Sequence, residues 1–243
     1  MEPQSSMDVQ PQNGISALAG VVQFLFKPRE VFSSLKQKSN WILPLVVLVV
    51  LAVAVTNVIY PVLKSSALTS ITERPNLTEE QKTTIVEQMA DSFWMGRAWM
   101  TMAGVIGTLL LIFIVAAVFY FVANVLMGGS GSYLKMLSVT SLSYLVAIPE
   151  NIVATPLILA KNTMKIHTDL ALFLPVSMDQ SFIYRLLGHL NVFTFWKVYL
   201  IGLGISVLYG FTLKKSLTAT LTVWLIYVIL ASVLGGFLNF GAS

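Results

Sequence analysis

The sequence predicts an all-α membrane protein: a five-helix transmembrane bundle with a broken third span and an N-terminal amphipathic interfacial segment. Composition is the first reason, since 56% of the 243 residues are hydrophobic and only 11% are charged, against about 25% charged residues in soluble proteins. The second is a set of five apolar stretches, each long enough for the roughly 20 helical residues that cross a hydrocarbon core. The third is a pair of prolines inside the third stretch.

The N-terminal region divides into a polar tail at 1–14 and an amphipathic segment at 15–40. We expect two short helices in the second part, with Pro28 opening the second one because proline suits the first helical turn. Lys and Arg lie opposite Val31, Phe32 and Leu35, which is typical of a helix lying on the inner membrane surface. Packing against the helical bundle is the alternative interpretation.

The rest of the chain, 41–243, is predicted to form the five-span membrane domain. The first, second and fifth stretches carry no charge, whereas Pro149 and Pro156 interrupt the third and Lys197 lies near the start of the fourth. We place the spans at about 41–63, 99–127, 136–160, 193–213 and 217–240.

The distribution of Lys and Arg predicts the orientation, because short cytoplasmic loops are enriched in them. The two short connections contain Lys135, Lys214 and Lys215 and no acid, whereas the two long connections carry most of the acidic residues. We therefore expect a multi-pass protein with a cytoplasmic N-terminus and the C-terminus outside. In the first long connection, Thr78 and Gln81 have the spacing of a capping box and predict a short amphipathic helix.

A carboxylate inside the third span is the most unusual feature of the sequence. Glu150 is the only charged residue between Leu137 and Ala160, and a charge at such a depth costs roughly 2.5 to 3.5 kcal/mol on insertion scales. Pro149 predicts a break near Ile148, which places Glu150 and Asn151 in the first turn of a second half-helix, where backbone N–H groups favour an anion.

Three roles remain open for this carboxylate. The first is a structural ion pair or helix cap, with Lys197 as the first candidate for the counter-charge and Arg97 as the second; Lys197 could instead extend towards the membrane surface. The second is an ion or proton site built from Glu150, Asn151 and Asn124, since broken helices form such sites in transporters. The third is contact with a partner.

Composition argues against several other classes of function. The chain has no Cys and two His residues, so we expect no disulfide, no cofactor and no metal centre. The 15 Lys and Arg are dispersed, which argues against nucleic-acid binding. The GGSGS run at 128–132 lacks the last glycine of a nucleophile elbow and is predicted to be a turn. We therefore expect a protein that is not an enzyme.

Three stretches resemble the Yip1-domain family, in its bacterial-type branch. They are KPREVFSSL, MGGSGSYLKMLSVTSLSYLVAIP and LNVFTFWKVYLIGLGISVLYGFTLKKSLTATL. The residues that carry the resemblance are Pro28, Phe32, Leu35, Gly128, Gly129, Tyr133, Pro149, Trp196, Gly202, Gly204 and Lys215. Eukaryotic members are implied to engage Rab GTPases, but their DLYGP stretch has no counterpart here, so Rab binding is not carried over.

The resemblance implies a non-enzymatic integral membrane protein that acts in membrane organisation or in binding other membrane proteins. The expected partners are the lipid bilayer and a membrane protein, with homo-oligomers as a further option, and the expected location is the bacterial cytoplasmic membrane. The alternative is a small transporter or channel that uses the broken third span, with Glu150 as its titratable or ion-binding group.

Overall fold

The computed structural model describes residues 23–37, 39–74, 76–91, 93–164, 166, 168–178 and 181–240. The predicted tail at 1–14 and the beginning of the amphipathic segment lie outside these residues. Within them the chain is helical apart from its connections and one isolated β-bridge between Asp169 and Asn191. The helices are α1 (Pro28–Ser34), α2 (Ile42–Thr72), α3 (Glu79–Asp91), α4 (Phe93–Phe121), α5 (Tyr133–Ser143), α6 (Ala147–Lys161), α7 (Phe182–Gly188), α8 (Val192–Tyr209) and α9 (Leu213–Phe240).

Five helical stretches are long and apolar enough to cross a membrane, which confirms the predicted all-α, five-span bundle. They are Ile42–Thr72, Trp94–Leu126, Tyr133–Lys161, Val192–Tyr209 and Leu213–Gly235. The first two exceed the roughly 20 residues that a hydrocarbon core requires. Their helices therefore continue beyond the apolar segments that the sequence marks, and Pro61 lies inside the first of them without ending it.

The bundle has two unlike ends. The short-turn end holds the turns at 127–132 and 210–212 together with α1, and the long-loop end holds the connections at 73–92 and 162–191. Each short turn contains a glycine with positive φ, Gly128 at 73° and Gly210 at 69°, a conformation that glycine adopts without steric cost.

Helix α1 packs into the bundle, as one of the two interpretations of the amphipathic segment predicts. Pro28 is at its first position, and the side chains of Phe24, Phe32 and Leu35 are buried in the main hydrophobic core. The Phe32 ring lies beside Gly204 of the fourth span, where a Cβ atom would be 3.2 Å from its Cζ. A Cβ atom there would lie even closer to Val139 of the third span, so the absence of a side chain at Gly204 makes room for both the third span and α1.

The third span remains helical across the position of the predicted break. A 3₁₀ segment at Tyr144–Val146 joins α5 to α6, and all three junction residues, Ser143, Val146 and Ala147, have right-handed helical dihedrals. The local change is thus a tightening of the helix just before Pro149, which has no N–H to continue the hydrogen-bond ladder. Glu150 lies in the first turn of α6.

The connection between the first two spans contains the helix that the capping box predicts. The Thr78 N–H donates to Gln81 Oε1 at 3.0 Å, and the Gln81 N–H donates to Thr78 Oγ1 at 3.3 Å. Glu79 and Glu80 occupy the first turn of α3, where the helix dipole favours negative charge.

Candidate polar sites within the bundle

Glu150 forms an ion pair with Lys197. The Lys197 Nζ atom of α8 lies 2.9 Å from Glu150 Oε2 of α6, so the pair joins the third and fourth spans. The Lys197 and Glu150 side chains are 20% and 24% exposed respectively. The ring of Tyr144, one turn before α6, lies 5.8 Å from the same ammonium group, a distance at which a cation and an aromatic face attract each other.

Asn151 makes a local contact. Its Nδ2 donates to the Ala147 carbonyl oxygen at 2.7 Å, within the first turn of α6. The amide therefore bonds to its own helix, while the neighbouring carboxylate of Glu150 reaches the fourth span.

Asn124 belongs to a different cluster at the short-turn end. It lies in a π-helical segment, Val122–Leu126, and its Nδ2 donates to the Tyr209 hydroxyl at 2.8 Å while its Oδ1 accepts from the Gly131 N–H at 2.7 Å. Glu150 is 17 residues beyond Tyr133, where the third span begins, about 25 Å along a helix at 1.5 Å per residue. The structure therefore does not bring Asn124 together with Glu150 and Asn151, because the second and third spans place these side chains at different levels.

The second candidate for the counter-charge, Arg97, contacts the first span instead. Its Nε donates to Asn57 Oδ1 at 2.6 Å and its Nη2 to the Asn57 carbonyl oxygen at 3.1 Å. The guanidinium carbon lies 5.6 Å from the centre of the Tyr60 ring. These contacts tie the first and second spans together near the long-loop end.

Sequence reasoning missed the partners of both Asn124 and Arg97. Tyr209 is the last residue of α8, and nothing in the sequence pairs a tyrosine there with Asn124. The contact of Asn57 could have been predicted in part, since Asn57 is the only amide side chain in the apolar first span. A lone amide in such a stretch needs a hydrogen-bond partner from a neighbouring helix.

The contacts that these groups make are an ion pair, hydrogen bonds and contacts between a cation and an aromatic ring. Within the described ranges, no group of three or more His, Asp or Glu residues could hold a metal ion. Ser130, the serine of the GGSGS run, lies in the exposed turn before α5. The glycines on either side of it have a packing role, because a Cβ atom at Gly129 or Gly131 would overlap the Tyr209 ring.

The five apolar spans and the polar pairs between them define an integral, multi-pass membrane protein. A Yip1 domain matches residues 22–235, and the chain belongs to the Yip1 domain family. Comparisons with curated proteins and with solved structures give no match.

Proposed function

We propose that this Yip1-domain protein is not an enzyme and acts by binding other membrane proteins or by organising the membrane around it. We further propose that it belongs to the bacterial-type branch of the family and resides in the cytoplasmic membrane, with its N-terminus inside and its C-terminus outside. Family membership supports the general class.

The observation that carries the proposal is the structured projection at the long-loop end. Helix α2 has 31 residues, about 46 Å at 1.5 Å per residue, which exceeds a hydrocarbon core of about 30 Å. The capped helix α3 follows it, and the side chains of Glu80, Gln81, Thr83 and Thr84 are exposed. A helical, polar projection next to the bilayer is a suitable surface for the external part of another membrane protein.

Site-specific crosslinking in native membranes tests this proposal. A photoreactive residue at Thr84 of α3 should give a reproducible protein adduct, identified by mass spectrometry after mild-detergent purification. The matched control is Ile226 on the fifth span, which is 53% exposed and should give lipid adducts. If Thr84 and Ile226 both give only lipid adducts, partner binding through α3 is wrong, and flux through proteoliposomes containing wild type or Glu150→Gln becomes the next experiment.

The proposed orientation has a separate test. Because the chain has no cysteine, a single cysteine at Glu80 reports on one position only. An impermeant thiol reagent should label it in intact cells or spheroplasts. Labelling that requires lysis would reverse the orientation.

A further inference from the structure

The groove around Arg97 is distinct from the Glu150–Lys197 pair. It lies between the first and second spans near the long-loop end, has a volume of about 660 Å³, and is open to the surface. Its lining residues are Asn57, Trp94, Arg97, Ala98, Thr101 and Met102.

Arg97 is a fixed positive charge in this groove, and the side chains that the structure describes include no acidic partner for it. The contacts with Asn57 and the Tyr60 ring hold the guanidinium in place. A guanidinium has five N–H donors, and the hydrogen bonds to Asn57 use two of them. Donors therefore remain for an anion, which would bind to a group that is already oriented.

The position of Arg97 along the second span matches the membrane surface. Trp94 and Trp99 on either side of it are 77% and 61% exposed, and exposed tryptophans are enriched at the level of lipid headgroups. The polar helix α3 precedes this point in the chain, and an uncharged apolar stretch, 98–127, follows it. Lipid phosphates are the anions present at this level of a bilayer.

The surface beside the groove favours an amphipathic ligand over a free anion. Met102 lines the groove, Ile106 lies about one turn beyond Met102 on the same side of the second span, and their side chains are 43% and 47% exposed. These two side chains continue the groove with apolar surface from Met102 towards the membrane interior. A phospholipid combines a phosphate with hydrocarbon chains that would cover this surface.

We propose that the Arg97 groove binds a phospholipid, with the phosphate at the guanidinium of Arg97 and the first part of the acyl chains along Met102 and Ile106. Phosphate is the natural partner because a guanidinium donates two parallel hydrogen bonds to it. The site makes no use of Glu150 or Lys197, and it does not depend on the partner binding proposed above.

The test uses the full-length protein in a detergent without phosphate, with thermal unfolding as the readout. Dihexanoyl-phosphatidylglycerol is the probe, and dihexanoylglycerol, which has the same chains and no phosphate, is its control. Inorganic phosphate at equal concentration distinguishes a lipid site from a site for a free anion. We expect a concentration-dependent rise in Tm with the phospholipid and a much smaller one with either control.

Two variants connect the effect to Arg97. Arg97→Gln should bind the phospholipid about tenfold more weakly or worse, since a hydrogen bond to a charged group is lost. Arg74→Gln removes an exposed arginine from the same end of the protein and should bind as wild type does. Equal binding by Arg97→Gln, or equal stabilisation by inorganic phosphate, would overturn the proposal.

Asn57→Asp keeps the proposal testable if Arg97→Gln fails to fold. The substitution keeps the shape of the side chain and places a carboxylate next to the Arg97 guanidinium, where the Asn57 oxygen now lies at 2.6 Å. Aspartate lacks the Nδ2 donor that now reaches the Val53 carbonyl oxygen and Thr101, but its ion pair with Arg97 should keep the first two spans joined. Because this internal acid neutralises the charge, phospholipid affinity should fall. Binding equal to that of wild type would show that the charge of Arg97 does not attract the lipid.

Discussion

The Glu150–Lys197 pair and the Asn124 cluster hold the same bundle together by different means. The first joins two charged side chains of opposite sign in the third and fourth spans. The second is neutral and joins the end of the second span to the short turn and to Tyr209. The ion pair depends on both charges being present, because one charge alone is costly in an apolar setting. The neutral cluster depends on shape, because glycine backbone lies directly against an aromatic ring.

The largest effect is expected from breaking the ion pair. Glu150→Gln or Lys197→Gln should each lower the free energy of unfolding in detergent by about 2 kcal/mol, because each leaves one charge without its partner in the bundle. The double variant should lose less than the sum of the two. A denaturant titration of all four proteins measures this coupling, and strictly additive losses would show that the pair contributes nothing as a pair.

A methyl group should disrupt the neutral cluster. Gly129→Ala places a Cβ atom on the Tyr209 ring and about 2.7 Å from the Ala123 carbonyl oxygen. Overpacking of this kind costs about 1–3 kcal/mol. Gly107→Ala is the matched control, because no atom lies within 4 Å of its Cβ, and it should be neutral or stabilising. Similar thermal unfolding of the two variants would contradict the close packing of the turn.

A smaller loss is expected from the amide at the centre of that cluster. Asn124→Leu leaves the Gly131 N–H and the Tyr209 hydroxyl without their partner, which should cost about 1 kcal/mol. Asn151→Leu is the comparison, since that amide donates to the Ala147 carbonyl oxygen of its own helix. If the two variants unfold at the same midpoint, the hydrogen bonds of Asn124 to Tyr209 and Gly131 stabilise the protein no more than the bond of Asn151 within α6.

The smallest effect concerns pH and the long-loop end. Burial lowers the pKa of His189 below its ordinary value of 6.5, while the charge of Asp169 opposes this shift. The unfolded chain therefore takes up a proton at this site more readily than the folded protein does. Stability from His189 is retained above about pH 6.5 and is lost as the pH falls through the lower pKa of the folded state.

Thermal unfolding of wild type and His189→Gln between pH 7.5 and 5 measures this contribution. The wild type should lose more stability than the variant over that range. Parallel curves would show that His189 takes no part in the pH dependence. No pH dependence of this origin is expected from the Asn124 cluster between pH 7.5 and 5, because Asn124 and the Gly131 backbone do not titrate and a tyrosine has an ordinary pKa of about 10.

Much of the fold could be predicted because the bilayer sets simple rules. Five apolar stretches of sufficient length predict five spans, and the capping box of Thr78 and Gln81 predicts where α3 begins. The ends of the first two spans were less predictable. Their helices include charged residues such as Lys64 and Arg97. Hydropathy therefore does not predict where these helices begin and end.

The candidate site was only partly predictable. Counting residues from the membrane surface places Glu150 and Lys197 at compatible depths, so the contact between them is within reach of sequence reasoning. The same counting could not separate Asn124 from Glu150 without knowing how the second and third spans are offset. The partner of Arg97 likewise depends on which helices are neighbours.

The sequence by itself determined the number of spans, the helical cap at Thr78 and the presence of a charge that needs compensation. These follow from hydrophobicity and local hydrogen bonding, which each segment expresses without reference to the others. The tertiary structure alone decided that Phe32 packs beside Gly204 and that Asn124 bonds to Tyr209. Lipid tails and protein interiors are equally apolar, so hydropathy does not distinguish a helix on the membrane surface from one inside the bundle.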